Sequence, residues 1–233
     1  DVETITYTQW LNERGTLEAD VTVTKLEEDR FMVVVTDTMH RHVETWIKRN
    51  TPDDAHAVVT DVTSGYGQLN VQGPRSRELL QSITSVDLGN EAFPFRTARE
   101  IEIGFARLLC TRITYVGELG WELHHPIEMQ NYLWDLLMEA GAEFGLKPVG
   151  ARAQNWLRQE KSYRAFGNEL GRDATPLEAD LPRFVDLSKD FHGKAKMEAL
   201  GVPSRLASRA GLAGCYDGFV PSLAEEWLSG LDA

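Results

Sequence analysis

Apolar positions along this chain alternate with polar ones in its opening stretch and then fall into helical spacing, and the cycle is repeated. Val21 and Val23 alternate with Thr22 and Thr24, and after the polar residues 27–30 comes Phe31-Met32-Val33-Val34-Val35. Period-two alternation on both sides of a polar break predicts a β-hairpin. Met39, Val43, Trp46 and Ile47 then recur at spacings of three and four, which lines one face of a helix, with Thr38 placed to cap it. The second cycle predicts strands over 57–60 and 68–72, followed by a helix that Gly73-Pro74 opens and that carries Leu79, Leu80 and Ile83.

Further strands are predicted over 101–103, 108–115 and 119–123, with Gly117 and Gly120 punctuating the last two. Met129, Leu133, Leu136, Leu137 and Ala140 form one stripe over 127–140, with Gly141 and Gly145 offering stops, so a helix is expected there. From Gly150 a second helical stretch carries Ala153, Trp156 and Leu157 on its apolar side. Its charged residues Arg152, Arg158, Glu160, Lys161 and Arg164 fit other faces, with Arg164 and Glu160 spaced for an i, i+4 pair. After Gly201 the texture changes to Ala, Ser, Gly and Leu, with only 223–231 hinting at an amphipathic helix. The reading is an α+β domain over 1–201, followed by an atypical tail over 202–233 that is not expected to belong to the native fold.

Composition narrows the class of protein. Of the 233 residues, 42% are hydrophobic and 26% charged, which is ordinary for a globular protein with a real core. A formal net charge of -12 argues against a nucleic-acid partner, since phosphate backbones are held by clustered Lys and Arg. Cys110 and Cys215 are far apart and form no C-x-x-C pair, so free thiols in a reducing compartment are expected rather than disulfides or a zinc cluster. His40 with His42 and His124 with His125 match no metal-ligand spacing, and no metal is expected. No apolar run approaches the ~20 residues that span a bilayer. The expected location is cytoplasmic, with the mitochondrial matrix as the alternative.

Three stretches carry candidate chemistry. In Asn12-Glu13-Arg14-Gly15-Thr16-Leu17-Glu18-Ala19-Asp20-Val21 a glycine turn delivers acids at the mouth of an apolar strand. A poorly solvated carboxylate there suits proton transfer or stabilisation of a cationic amine species; the alternative is that Asp20 merely bonds the turn. In Thr114-Tyr115-Val116-Gly117-Glu118-Leu119-Gly120-Trp121-Glu122-Leu123 the carboxylate of Glu122 could accept paired N–H donors from an aminopyrimidinone ring, or could sit on an ordinary hairpin. In the third stretch, 150–164, Arg152 near the helix start stands out as a fork for a carboxylate or carbonyl.

In order and spacing these stretches resemble the folate-binding domain shared by the T-protein of the glycine cleavage system and the C-terminal halves of dimethylglycine and sarcosine dehydrogenases. Tyr7-Thr8-Gln9-Trp10-Leu11-Asn12, Val71-Gln72-Gly73-Pro74, Asn90-Glu91-Ala92-Phe93-Pro94-Phe95, Thr175-Pro176-Leu177-Glu178-Ala179 and Asp190-Phe191-His192-Gly193-Lys194 agree as well. The Leu-Asn-Glu-Arg-Gly and Glu-Leu-Gly-Trp-Glu stretches look more like the dehydrogenase branch. The resemblance covers about residues 5–202 and implies an aminomethyltransferase folate-binding fold of mixed and antiparallel sheets with packed helices. It begins after the family's first subdomain and ends before its last, so the domain is expected to be truncated at both ends.

The resemblance implies tetrahydrofolate as cofactor and Asp20 as the catalytic acid near its reactive nitrogens. Ala19 and Val21 would contribute wall contacts, Tyr115, Glu122, Leu123 and His124 would hold the pterin, and Arg152 would contact folate. The implied reaction transfers a one-carbon unit from an N-methyl amine or aminomethyl donor to give 5,10-methylene-tetrahydrofolate. FAD would belong only to a separate flavin domain, which is also the expected kind of protein partner. A non-catalytic folate-fold module and a tetrahydrofolate-dependent demethylase are the alternatives. Gly15-Thr16-Leu17 replaces the family's usual Gly-Gly-Ile, and Lys161-Ser162-Tyr163-Arg164 replaces Lys-Gly-Tyr-Arg.

Overall fold

The structure, a computed structural model, describes residues 1–200 together with 207–208 and 216–217. The helix expected over 223–231, Cys215 and the tail boundary at 201 and 202 lie outside the described residues. By internal contacts the chain divides into two compact units: Asp1–Thr8 with Asp20–Ala165, and Gln9–Ala19 with Phe166–Ala233.

The first unit is built on a four-stranded antiparallel sheet of order β4-β7-β6-β5, formed by β4 (Tyr66–Gln72), β5 (Ala98–Ile103), β6 (Ala106–Thr111) and β7 (Gly120–Pro126). One face of this sheet makes the core. Val71, Ile101, Ile103, Leu108, Cys110, Trp121 and Leu123 pack with Leu79 and Leu80 of α2 (Ser76–Gln81) and with Leu133 and Leu137 of α3 (Gln130–Gly141). Period-two alternation supplies the sheet's apolar face and the three-and-four spacing of α3 supplies its cover. Phe93 meets Trp121 edge-on at 5.1 Å between centroids, a favourable arrangement for two aromatic rings. Cys110 is fully buried in this core, and burial pushes its thiol pKa well above the ordinary range.

The rest of this unit holds the outer parts of β1 (Ile5–Leu11) and β2 (Leu17–Lys25), and all of β3 (Phe31–Val35), which lie side by side in that order. The predicted hairpin is present: β2 and β3 pair antiparallel from Val21↔Val35 to Lys25↔Phe31. The chain start is tied to the segment before β5, with Ile5 N–H donating to Arg96 O and Ala98 N–H to Glu3 O. α1 (His40–Asn50) forms as expected, but Thr38 does not cap it, because a 3-10 turn over Asp37–Met39 precedes the helix and Met39 takes the cap position.

One predicted element is absent and another is shorter than expected. Residues 57–60 form no strand, and Val58 is 92% exposed with no sheet beside it; a short apolar run without a partner has no ladder to join. The strand expected to run to Tyr115 stops at Thr111, and Tyr115 lies on the connection to β7.

The second unit centres on the tip of the β1–β2 hairpin and the chain from Phe166 onward. Leu11, Leu17, Leu170, Ala179, Leu181 and Met197 form its core. The tip is closed by Asn12, whose Oδ1 accepts from Arg14 N–H at 2.9 Å and whose Nδ2 donates to Thr16 Oγ1 at 2.9 Å. Thr16 thus contributes a side-chain bond to the tip. Gly15 has a φ of +79°, and a Cβ there would lie 2.3 Å from the Met197 backbone nitrogen at α5 (Lys194–Leu200). A Cβ on Gly193 would lie 2.3 Å from Asn12 O. Two motifs 178 positions apart are therefore glycine-bearing because their backbones touch. Thr175 and Glu178 exchange bonds, Glu178 N–H to Thr175 Oγ1 and Thr175 N–H to Glu178 Oε2, the reciprocal pattern of a capping box. Ala207–Ser208 and Tyr216–Asp217 pair in parallel.

Candidate functional site

β7 is bonded on both sides, to β4 and to β6. Along it side chains alternate between faces, so Trp121 and Leu123 enter the core while Glu122 and His124 occupy the opposite face. Their side chains are 16% and 7% exposed, and His124 Nε2 stands 3.4 Å from Glu122 Oε2. Register places Asn70 of β4 and Thr111 of β6 directly beside Glu122, and Gln68 and Leu109 beside His124. Gln68 Nε2 donates to Asn70 Oδ1 at 2.9 Å. Asn70, Gln68 and Thr111 complete a polar row that the sequence reading had not singled out. Its signal was present, since Gln68, Asn70 and Gln72 alternate with Leu69 and Val71 in β4.

Glu122 is a carboxylate removed from most solvent, with the imidazole of His124 beside it. Such a group retains acceptor lone pairs for incoming N–H donors. Leu123 is fully buried on the other face of the strand, so it can reach a ligand beside Glu122 only through its backbone.

Tyr115 lies half-buried on the connection from β6 to β7, and its hydroxyl donates to Arg164 O at 3.3 Å. Next to it, Thr114 Oγ1 donates to Gln72 Oε1 at 2.7 Å. Asp20 is half-buried on β2, between Ala19 at 1% and Val21 at 2% exposure. Alternation sends Ala19 and Val21 to the face opposite Asp20, so they flank it in sequence but would offer a ligand at its carboxylate only main-chain contact.

Arg152 stands exposed in the first turn of α4 (Ala151–Glu160). This helix corrects the sequence reading. Trp156, expected on the apolar side, is 70% exposed, whereas Arg158, expected on a solvated face, is 1% exposed. The helix ends at Glu160, so Arg164 is not one turn along from it; the Arg164 guanidinium instead bonds Ser162 O. Among the described residues no group of three or more His, Cys, Asp or Glu converges as metal ligands would.

Comparison with known proteins decides the family, because a model described as the GCVT N-terminal domain matches residues 1–189. The chain belongs to the GCVT N-terminal domain family. Dimethylglycine dehydrogenase of Homo sapiens is 36% identical to it over 202 residues, covering 84% of this chain and 23% of that protein. An aminomethyltransferase of Clostridium botulinum is 35% identical over 207 residues, covering 87% of this chain and 55% of the relative. The aminomethyltransferase T of the Bartonella henselae glycine cleavage system superposes with a TM-score of 0.73 at 26% identity, over 86% of this chain and 54% of that one. The GCVT fold is therefore shared, and the resemblance read from the motifs holds for both branches. This GCVT domain spans under a quarter of the dehydrogenase and about half of the aminomethyltransferases. Among its described residues no helix is long and apolar enough to cross a membrane.

Proposed function

We propose that this domain binds tetrahydrofolate and directs onto it a one-carbon unit from an N-methyl amine or aminomethyl donor, giving 5,10-methylene-tetrahydrofolate. The observation that supports this best is Glu122, a largely buried carboxylate on an interior strand, with acceptor capacity left beside His124. An aminopyrimidinone edge presents two adjacent N–H donors, and a carboxylate accepts such a pair in one plane. Relatives named as dimethylglycine dehydrogenase, sarcosine dehydrogenase and aminomethyltransferase agree with amine-derived one-carbon chemistry.

When bound, tetrahydrofolate supplies two nitrogens that carry a one-carbon unit at the formaldehyde oxidation level. The chain's own residues seat and orient it. Glu122 holds the donor edge of the ring, His124 buttresses that carboxylate, and Tyr115 closes the ring from the β6–β7 connection. Arg152, exposed and cationic, meets the carboxylates at the far end of the ligand. Asp20 holds or accepts the proton that moves as the amine leaves, a role suited to a half-buried carboxylate. In the dehydrogenase branch a flavin-bearing unit would oxidise the N-methyl amine before this domain acts, and the compartment would be cytoplasm or mitochondrial matrix.

Calorimetric titration with tetrahydrofolate tests this reading. The wild-type chain should bind, Glu122→Ala should not, and Asp20→Asn should bind but fail to transfer the one-carbon unit. Absence of binding by the folded wild-type chain would overturn it.

A further inference from the structure

Arg158 is the charged side chain that the sequence places on a solvated face and that the structure buries almost completely. Its bonds are directed. Nε donates to Asn155 Oδ1 at 2.8 Å, one turn back on α4, and Nη1 donates to Tyr163 O at 2.7 Å, beyond the helix end. Tyr163 N–H returns to Arg158 O at 2.9 Å. One residue thus fixes both ends of the turn over 159–163, in which Ser162 adopts a φ of +57°. That conformation disfavours a side chain, so the turn needs outside support to hold its shape, and the buried guanidinium supplies it.

What docks on this turn is the connection that carries Tyr115. The Tyr115 hydroxyl donates to Arg164 O. Gly117, at a φ of +71°, lies so close to Lys161 that a Cβ would come within 2.4 Å of Lys161 Cγ. Lys161 Nζ stands 3.6 Å from Glu118 Oε1. Three residues of the connection therefore rest on the turn: Tyr115, Gly117 and Glu118. Backbone bonds hold this connection at its ends, through Arg112 to Arg96 and Thr97 and through Leu119 O to Gly73 N–H, so the placement of 113–118 between them depends on what it packs against.

We infer that Arg158 is a positioning residue for Tyr115: by bonding Asn155 and the Tyr163 carbonyl it holds the 159–164 turn in the shape on which the Tyr115 hydroxyl, Gly117 and Glu118 seat. The inference rests on the proposed folate reading only for what Tyr115 then contacts. The positioning itself is a property of the free protein.

Two arms separate these. In hydrogen–deuterium exchange on the full chain without ligand, Arg158→Lys, which keeps a buried cation but cannot bond both partners in a fork, should speed exchange over 112–119 about tenfold, with exchange in β4 and β6 unchanged. In tetrahydrofolate titration, Arg158→Lys should weaken binding about tenfold in the wild-type background and by under about twofold in a Tyr115→Ala background, the non-additivity of residues acting through one another. Unchanged exchange over 112–119 overturns the inference, and so do equal affinity losses in the two backgrounds. If the wild-type chain binds no tetrahydrofolate, the functional reading falls and the exchange arm alone decides the positioning.

Discussion

Glu18 and Arg172, 154 positions apart, meet in a forked pair: Arg172 Nη2 donates to Glu18 Oε1 at 2.7 Å and Nε to Oε2 at 3.1 Å. The carboxylate side chain is 4% exposed and the guanidinium 54%, so the pair is a buried acid served by a cation reaching in from solvent. Arg172→Ala should lower the stability to urea by ~2 kcal/mol, because the acid loses two charge-assisted bonds. The Glu18→Gln, Arg172→Ala double variant should recover part of that loss; equal losses would mean that the fork adds nothing beyond packing.

Gly15 and Gly193 mark where the hairpin tip and α5 have no room between them. Gly15→Ala combines a backbone clash with a positive φ and is expected to cost ~3 kcal/mol or more. Gly150, with open space around its Cβ position and extended backbone, is the contrast, and Gly150→Ala should be neutral or slightly stabilising. Thermal melts of the two variants settle the comparison.

Cys110 is sealed in the core, and its raised pKa keeps the thiol protonated. Iodoacetamide at pH 8 should leave the Cys110 peptide unmodified in the native chain and label it fully in urea, as read by mass spectrometry. An ordinary exposed thiol, with a pKa of about 8.5, would label in both.

Glu122→Gln should separate binding from folding. The carboxylate lies off the apolar core, and its contact with His124 Nε2 at 3.4 Å is one that an amide oxygen can keep. The melting temperature should therefore move by under about 2 °C, while tetrahydrofolate affinity falls more than about tenfold. A large drop in melting temperature would mark Glu122 as a structural acid.

Val58→Ser tests the failed strand over 57–60. At 92% exposure the side chain buries almost nothing, so the change should stay within about 0.5 kcal/mol in urea unfolding. A loss above about 1 kcal/mol would show that the segment packs after all.

The parts of the fold that could be read from sequence are those in which periodicity and burial agree. The α3 stripe carries enough three-and-four-spaced apolar residues to declare a face, and that face is the buried one; in the β2–β3 hairpin alternation gives the pairing but not the burial, since Thr24 is buried while Val23 is half-buried and Phe31 is 54% exposed. α4 misled because its apolar residues are too few to define a face. Trp156 looks like core and is exposed, while Arg158 looks like surface and is enclosed by Asn155 and Tyr163, partners that only the folded turn creates. The candidate site was legible as motifs, and alternation alone predicts that Glu122 and His124 share a face. Their neighbours Asn70 and Thr111 depend on strand register across 52 and 11 positions, which no local pattern encodes.

The two supports of the proposed ring site differ in what binding would ask of them. Glu122 hangs from a strand laced into the sheet on both edges, so its backbone is already fixed and contact with it would sacrifice little motional freedom. Tyr115 hangs from a connection that borrows its shape from a neighbouring turn, and whatever freedom it keeps must be surrendered when a ligand arrives. In this site, anchoring would set how tightly a ring is held, and the state of the 159–164 turn would set how much of that affinity is realised.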